Sequence, residues 1–160
     1  MADVRHVAPS QCRVELLDTV EDLRGAARGR LRQRVLSMTP EDLGAPAVAL
    51  APALRSRPGA ATWAVVEPNG VARAIRARNF SGRRAIRDDL REIVRRRDEL
   101  RVVDVADEDG RAWWIALDSR VVLVAGRVFR PRRLLEVQRD GRLALRAFSR
   151  LPADPLGGGG

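Results

Sequence analysis

The chain has 160 residues, 45% of them apolar, and a formal net charge of +9. That size suits one domain with a core that stands without staples, and the single cysteine, Cys12, excludes an internal disulfide. No apolar run approaches the ~20 residues of a membrane span. Residues 1–9, which hold Asp3, Arg5 and His6, lack the apolar stretch of a signal peptide. A cytoplasmic protein with a flexible segment over 1–9 is therefore expected.

In chain order, Val14, Leu17, Val20, Leu31 and Val35 predict a helix over 10–38, acidic early and basic later, bent or split at Gly25 and Gly29. Thr39-Pro40-Glu41-Asp42 has the composition of a second helix start. Pro46 and Pro52 then restrict 47–54 to a short helical piece. Residues 62–67 and 71–78 read as two strands joined by Pro68-Asn69-Gly70, a hairpin signal. After Asn79-Phe80-Ser81-Gly82, the residues Ile86, Leu90, Ile93, Val94 and Leu100 fall on one side of an amphipathic helix.

The period then changes to two. Strands are predicted over 101–106, 111–117, 120–129, 133–138 and 142–148, and the short links between them make neighbours antiparallel. In the last of these, Leu143, Leu145 and Ala147 take one face and Arg142, Ala144 and Arg146 the other. Residues 151–160 carry two prolines and four closing glycines and are expected to be a mobile tail. The whole reads as a single α+β domain over 10–150: N-terminal helices, a hairpin, an amphipathic helix, then a curved antiparallel meander.

All 30 basic residues are arginine, a choice that fits the codon bias of a GC-rich genome as well as any function. Two regions concentrate the excess. Residues 73–101 hold eleven arginines against five acids, and residues 120–150 hold nine against two. Arg84, Arg87, Arg91, Arg95, Arg133, Arg142 and Arg146 define the candidate basic surface, which a polyanion could use. No nucleic-acid-binding motif accompanies them, so a solvated face is the simpler reading.

Residues able to carry chemistry are few. His6 lies outside the predicted elements, no metal-ligating cluster occurs, and Gly25, Gly29 and Gly82 lack the spacing of a phosphate loop. Asp104, between Val103 and Val105, is the one acid that a pocket could bury and turn into a general base. Arg76 and Arg111, on predicted strands, are candidates to hold an anion. Trp113 and Trp114 are neighbours in a strand and so point to opposite faces. One joins the core and the other meets a pocket, an interface or solvent.

The order of elements carries a resemblance, together with two short motifs. Gly82-Arg83-Arg84-Ala85-Ile86 resembles the "G-R-x-A-I" start of the third helix in the nuclear-transport-factor-like superfamily. Asp140-Gly141-Arg142-Leu143 resembles the "D-G-x-I" of that superfamily's last hairpin. The resemblance covers about 39–149, is to the polyketide-cyclase-like branch, and implies a cone of bent sheet around helices with a pocket at its wide end. Enzymes of that branch use a pocket carboxylate with a tyrosine, a histidine or a second acid. This chain has no tyrosine and one remote histidine.

The leading expectation is thus a non-catalytic binding module without cofactor. It would take a small ligand or protein partner in the cone pocket or on the open sheet face, and it could dimerise through exposed Val122, Val124 or one tryptophan. Two alternatives stay open. One is a small cyclase or isomerase acting through Asp104, and the other is an arginine-rich nucleic-acid-associated protein.

Overall fold

A computed structural model describes residues 12–18, 23–41 and 61–156. The fold is α+β, with a curved, open seven-stranded antiparallel sheet at its centre. Strands β1 (Arg13–Asp18), β2 (Thr39–Pro40), β3 (Ala61–Val66), β4 (Ala72–Arg76), β5 (Arg101–Ala106), β6 (Arg111–Leu117) and β7 (Arg120–Ala125) lie in the order β1-β3-β4-β7-β6-β5-β2. The helices are α1 (Leu23–Leu36), α2 (Arg83–Arg95) and α3 (Leu134–Ser149), with one 3-10 turn at Arg97–Glu99.

The β3–β4 hairpin forms where its turn residues require it. Gly70 has φ +84°, which glycine alone adopts without strain, and the Asn69 carboxamide accepts the Val71 amide at 3.0 Å. A bulge then interrupts the register. Val65 opposes Ala74 but Val66 opposes Ala72, leaving Arg73 as the extra residue. The β6–β7 turn has both Asp118 and Ser119 at positive φ, the pairing that suits a two-residue hairpin.

Sheet parity divides the core. Trp114, Val124, Ile75 and Ala64 are cross-strand neighbours along one face, and α1 covers it, because the Trp114 indole N–H donates to the Val35 carbonyl of α1 at 2.9 Å. On the other face the Trp63 ring stacks on Phe148 of α3 at 6.2 Å between centroids and donates its N–H to Asp89 of α2. Helices therefore flank both faces. The middle strands are buried apart from their first residues, and Val122 and Val124 are core residues rather than an exposed dimerisation patch.

The predicted hairpin, α2 and the meander β5-β6-β7 are present, with β5 and β6 at the predicted bounds. Ile86, Leu90, Ile93 and Val94 are buried on α2 as expected; Leu100, expected on the same helix, is buried but extended, after the 3-10 turn that follows α2. Other expectations are corrected. The helix over 10–38 begins as strand β1, since Val14 to Leu17 pairs with β3 across the sheet edge. Thr39-Pro40 starts no helix but forms the other edge strand on β5, where proline's missing N–H costs nothing.

The strand over 120–129 stops at Ala125. A Cβ on Gly126 would run into the Ala72 carbonyl, and only Phe129 rejoins the sheet, bridging to Arg111. Finally, the two strands over 133–148 are one helix, α3, whose buried residues Val137, Asp140, Gly141, Ala144 and Phe148 follow a spacing of three and four. The segment resembling a last hairpin is thus helical. The tail read as mobile from Leu151 begins packed: Leu151 is buried, its carbonyl accepts Arg97, and Asp154 pairs with Arg91. The helical piece at 47–54 and the N-terminal segment 1–9 lie outside the described residues.

Candidate functional site

Each of the three buried indoles needs an acceptor for its N–H, and two of them find one in an aspartate that also holds arginine. Asp89 on α2 accepts Trp63 at 2.9 Å and takes the Arg76 guanidinium with both oxygens, at 2.9 and 3.0 Å. Asp140 on α3 accepts Trp113 at 2.8 Å, Arg73 at 3.3 Å and Arg127 at 3.4 Å. The bulge at Arg73 breaks its alternation from Ile75, on the α1 side, and lets it reach Asp140 and Glu67. These charges lock α2 and α3 to the sheet.

Several sequence candidates are thereby placed in the framework. Trp113 and Trp114 are both buried, so neither meets a pocket or solvent. Arg76 is buried in its pair with Asp89 and gives a further hydrogen bond to the Val122 carbonyl at 2.8 Å. Arg111 pairs with Glu41. Asp104, opposite Trp113 in the sheet, is half-buried, accepts Gln138 of α3 at 3.3 Å and lines neither of the two clefts described next.

Two open clefts of about 390 Å³ each flank α3. The first lies between α3 and the β3–β4 turn and is lined by Cys12, Glu67, Pro68, Arg73, Leu143, Arg146, Ala147 and Arg150, among others. The second lies toward the 3-10 turn and is lined by Arg97, Asp98, Leu100, Arg142, Leu145, Arg146 and Ser149. Arg146 belongs to both, so it stands on the ridge between them.

That ridge is the exposed face of α3. At about 100° per residue, Leu135, Arg139, Arg142, Leu143, Arg146 and Arg150 fall within an arc of roughly 100°, and all six are exposed. Arg139, Arg142, Arg146 and Arg150 make no ion pair among the described residues. Three other arginines of the predicted basic surface are matched: Arg91 with Asp154, Arg95 with Glu92, Arg133 with Glu136. The hydrogen bond from Arg95 holds the Glu92 carboxyl below its ordinary range. Arg84 is exposed and Arg87 half-buried near the start of α2.

Sequence reading identified Arg142 and Arg146 but not Arg139, Arg150, Arg73 or the two anchoring aspartates. The helical spacing of 139, 142, 146 and 150 was the available signal, and it was hidden by reading Asp140-Gly141 as a turn. Among the described residues, no group of three or more His, Cys, Asp or Glu could hold a metal ion, and no helix is long and apolar enough to cross a membrane. No family model, curated protein or solved structure matches this chain.

Proposed function

We propose that the chain is a non-catalytic binding module that receives an anionic macromolecular partner on the exposed face of α3. One observation carries this reading. Four arginines share one face of α3 and its C-cap with no carboxylate paired to them among the described residues, whereas Arg91, Arg95 and Arg133 each pair with an acid.

The arrangement is not free. Like charges one turn apart each disfavour a helix by roughly 0.2 to 0.5 kcal/mol, a cost that Arg142, Arg146 and Arg150 incur together. The C-terminal helix dipole offsets part of it near Arg146. A partner supplying carboxylates or phosphates converts the remainder into charge-assisted, forked hydrogen bonds of the kind guanidinium makes best. A cytoplasmic setting fits the single cysteine.

The test is fluorescence anisotropy at low salt with labelled polyglutamate and, separately, a labelled oligonucleotide. Binding of at least one probe is expected. It should weaken steeply as salt rises and be lost in the double variant Arg142→Glu/Arg146→Glu. Absence of binding to both, or binding indifferent to the double reversal, overturns the proposal.

A further inference from the structure

The α3 face is not purely electrostatic. Leu135 is 79% exposed and Leu143 is 38% exposed, and both interrupt the arginine stripe. The clefts on either side have a mixed lining. Leu143 and Ala147 give the first an apolar edge beside Glu67 and Arg73, Leu145 and Leu100 give the second one beside Arg97 and Asp98, and Arg146 stands between them. The arrangement is a charged ridge with a slot on each flank whose apolar edge faces the helix.

Nucleic acid would find little use for the slots. Single-strand binders stack bases on aromatic side chains, and all six aromatics of this chain, Trp63, Trp113, Trp114, Phe80, Phe129 and Phe148, are buried in the core. Phosphates would engage the ridge and leave exposed leucines against a polar backbone.

We infer that the occupant is an acidic amphipathic segment of a partner protein. Its carboxylates engage Arg139, Arg142, Arg146 and Arg150, and its aliphatic side chains enter the slots at Leu143 and Leu145. This rests on the reading of the α3 face as an anion-binding surface and adds the class of partner. Arg146 sits at the centre of the covered area, where truncation costs an interface most. The flanking leucines supply apolar burial that salt does not screen.

The experiment uses the whole chain and three labelled probes of equal charge: a glutamate peptide with leucine at every fourth position, the same peptide with serine in place of leucine, and an oligothymidylate. The leucine peptide is expected to bind at least about tenfold tighter than either of the others and to keep that margin at physiological salt. Arg146→Glu should weaken it by about tenfold or more. Leu143→Ser should erase its advantage over the serine peptide while leaving the serine peptide unchanged, and unchanged thermal melts of both variants show that the fold is kept.

Equal binding of the two peptides, or tighter binding of the oligothymidylate, overturns the inference while the anion-binding face stands. If no probe binds at low salt, both fall.

Discussion

Trp113 and Trp114 are adjacent in β6 and fasten helices to opposite faces of the same sheet. The Trp113 indole N–H donates to Asp140 of α3 at 2.8 Å, and that of Trp114 donates to the Val35 carbonyl of α1 at 2.9 Å. Strand alternation alone sends the two rings apart. The hydrogen bond each makes then fixes where a helix sits, so the basic ridge of α3 is positioned from inside the core.

This relationship predicts the effect of removing one N–H while keeping an aromatic ring. Trp113→Phe leaves Asp140 one donor short in a buried site, which costs about 1 to 3 kcal/mol, in addition to the lost ring volume. Urea denaturation should therefore show a clearly lower midpoint than the parent, with the slope unchanged. A midpoint equal to the parent's would mean that the indole N–H contributes nothing to docking α3.

Gly141 packs against the same tryptophan. A Cβ there would lie 2.8 Å from Val102 Cγ1 and 3.3 Å from the Trp113 ring, whereas one on Gly29 of α1 meets nothing within 4 Å. By helix propensity alone both changes to alanine gain about 1 kcal/mol. Gly29→Ala should show that gain, and Gly141→Ala should instead lose stability because the helix must lift from β5 and β6. Paired thermal melts separate the two; a rise in both would remove the packing role assigned to Gly141.

The same glycine explains much of what the sequence concealed. Asp140-Gly141 between apolar residues has the composition of a hairpin turn, and Leu143, Leu145 and Ala147 alternate as a strand would. Only the spacing Val137, Ala144, Phe148 betrays the helix, and glycine is there for close approach rather than for turning. At the other end of the chain, Val14 and Leu17 are three apart and read as helical, yet β3 offered an edge that six residues of β1 could pair with. Long-range pairing overrode a local pattern.

Where local chemistry and tertiary context agreed, as at Asn69-Gly70 and in β5 and β6, the elements were legible to within a residue or two, and along α2 the buried stripe from Ile86 to Val94 was legible although the helix stops at Arg95. The two-sided burial of the sheet was not. It depends on α1 returning across β6 and β7, which no local spacing encodes.

Arg32 of α1 is buried and donates to the Arg76 carbonyl at 3.3 Å, with no carboxylate paired to it among the described residues. Burial, and then the neighbouring Arg76 charge, lower its pKa from the ordinary guanidinium range to about 10. The unfolded chain thus holds this proton more tightly than the folded one, so the group opposes folding. The penalty is complete below pH 10, roughly 3 kcal/mol, and fades as pH rises from 10 toward the ordinary guanidinium range. Arg32→Met keeps most of the volume without the charge and should stabilise the protein at pH 7 by about 1 to 3 kcal/mol. Its advantage over the parent should narrow above pH 10. A less stable variant in neutral denaturation would refute this.

Arg76 and Asp89 present the opposite case, a buried pair with good geometry. Both carboxylate oxygens take the guanidinium, Asp89 also accepts Trp63, and Arg76 also donates to the Val122 carbonyl. Breaking such a pair strands a charge away from water and typically costs 3 to 5 kcal/mol, whereas replacing both partners with apolar residues of similar size is often nearly neutral. Arg76→Met alone leaves Asp89 charged with only the indole N–H, and Asp89→Leu alone leaves the guanidinium against Val122. Each single variant should therefore melt far below the parent.

The double variant Arg76→Met/Asp89→Leu should recover much of the loss, less the cost of leaving the Trp63 N–H unpaired. The coupling energy from this cycle is the measurement. Additive losses would show that the pair does not act as a unit, and that α2 is held to the hairpin by Ile86, Leu90 and Ile93 alone.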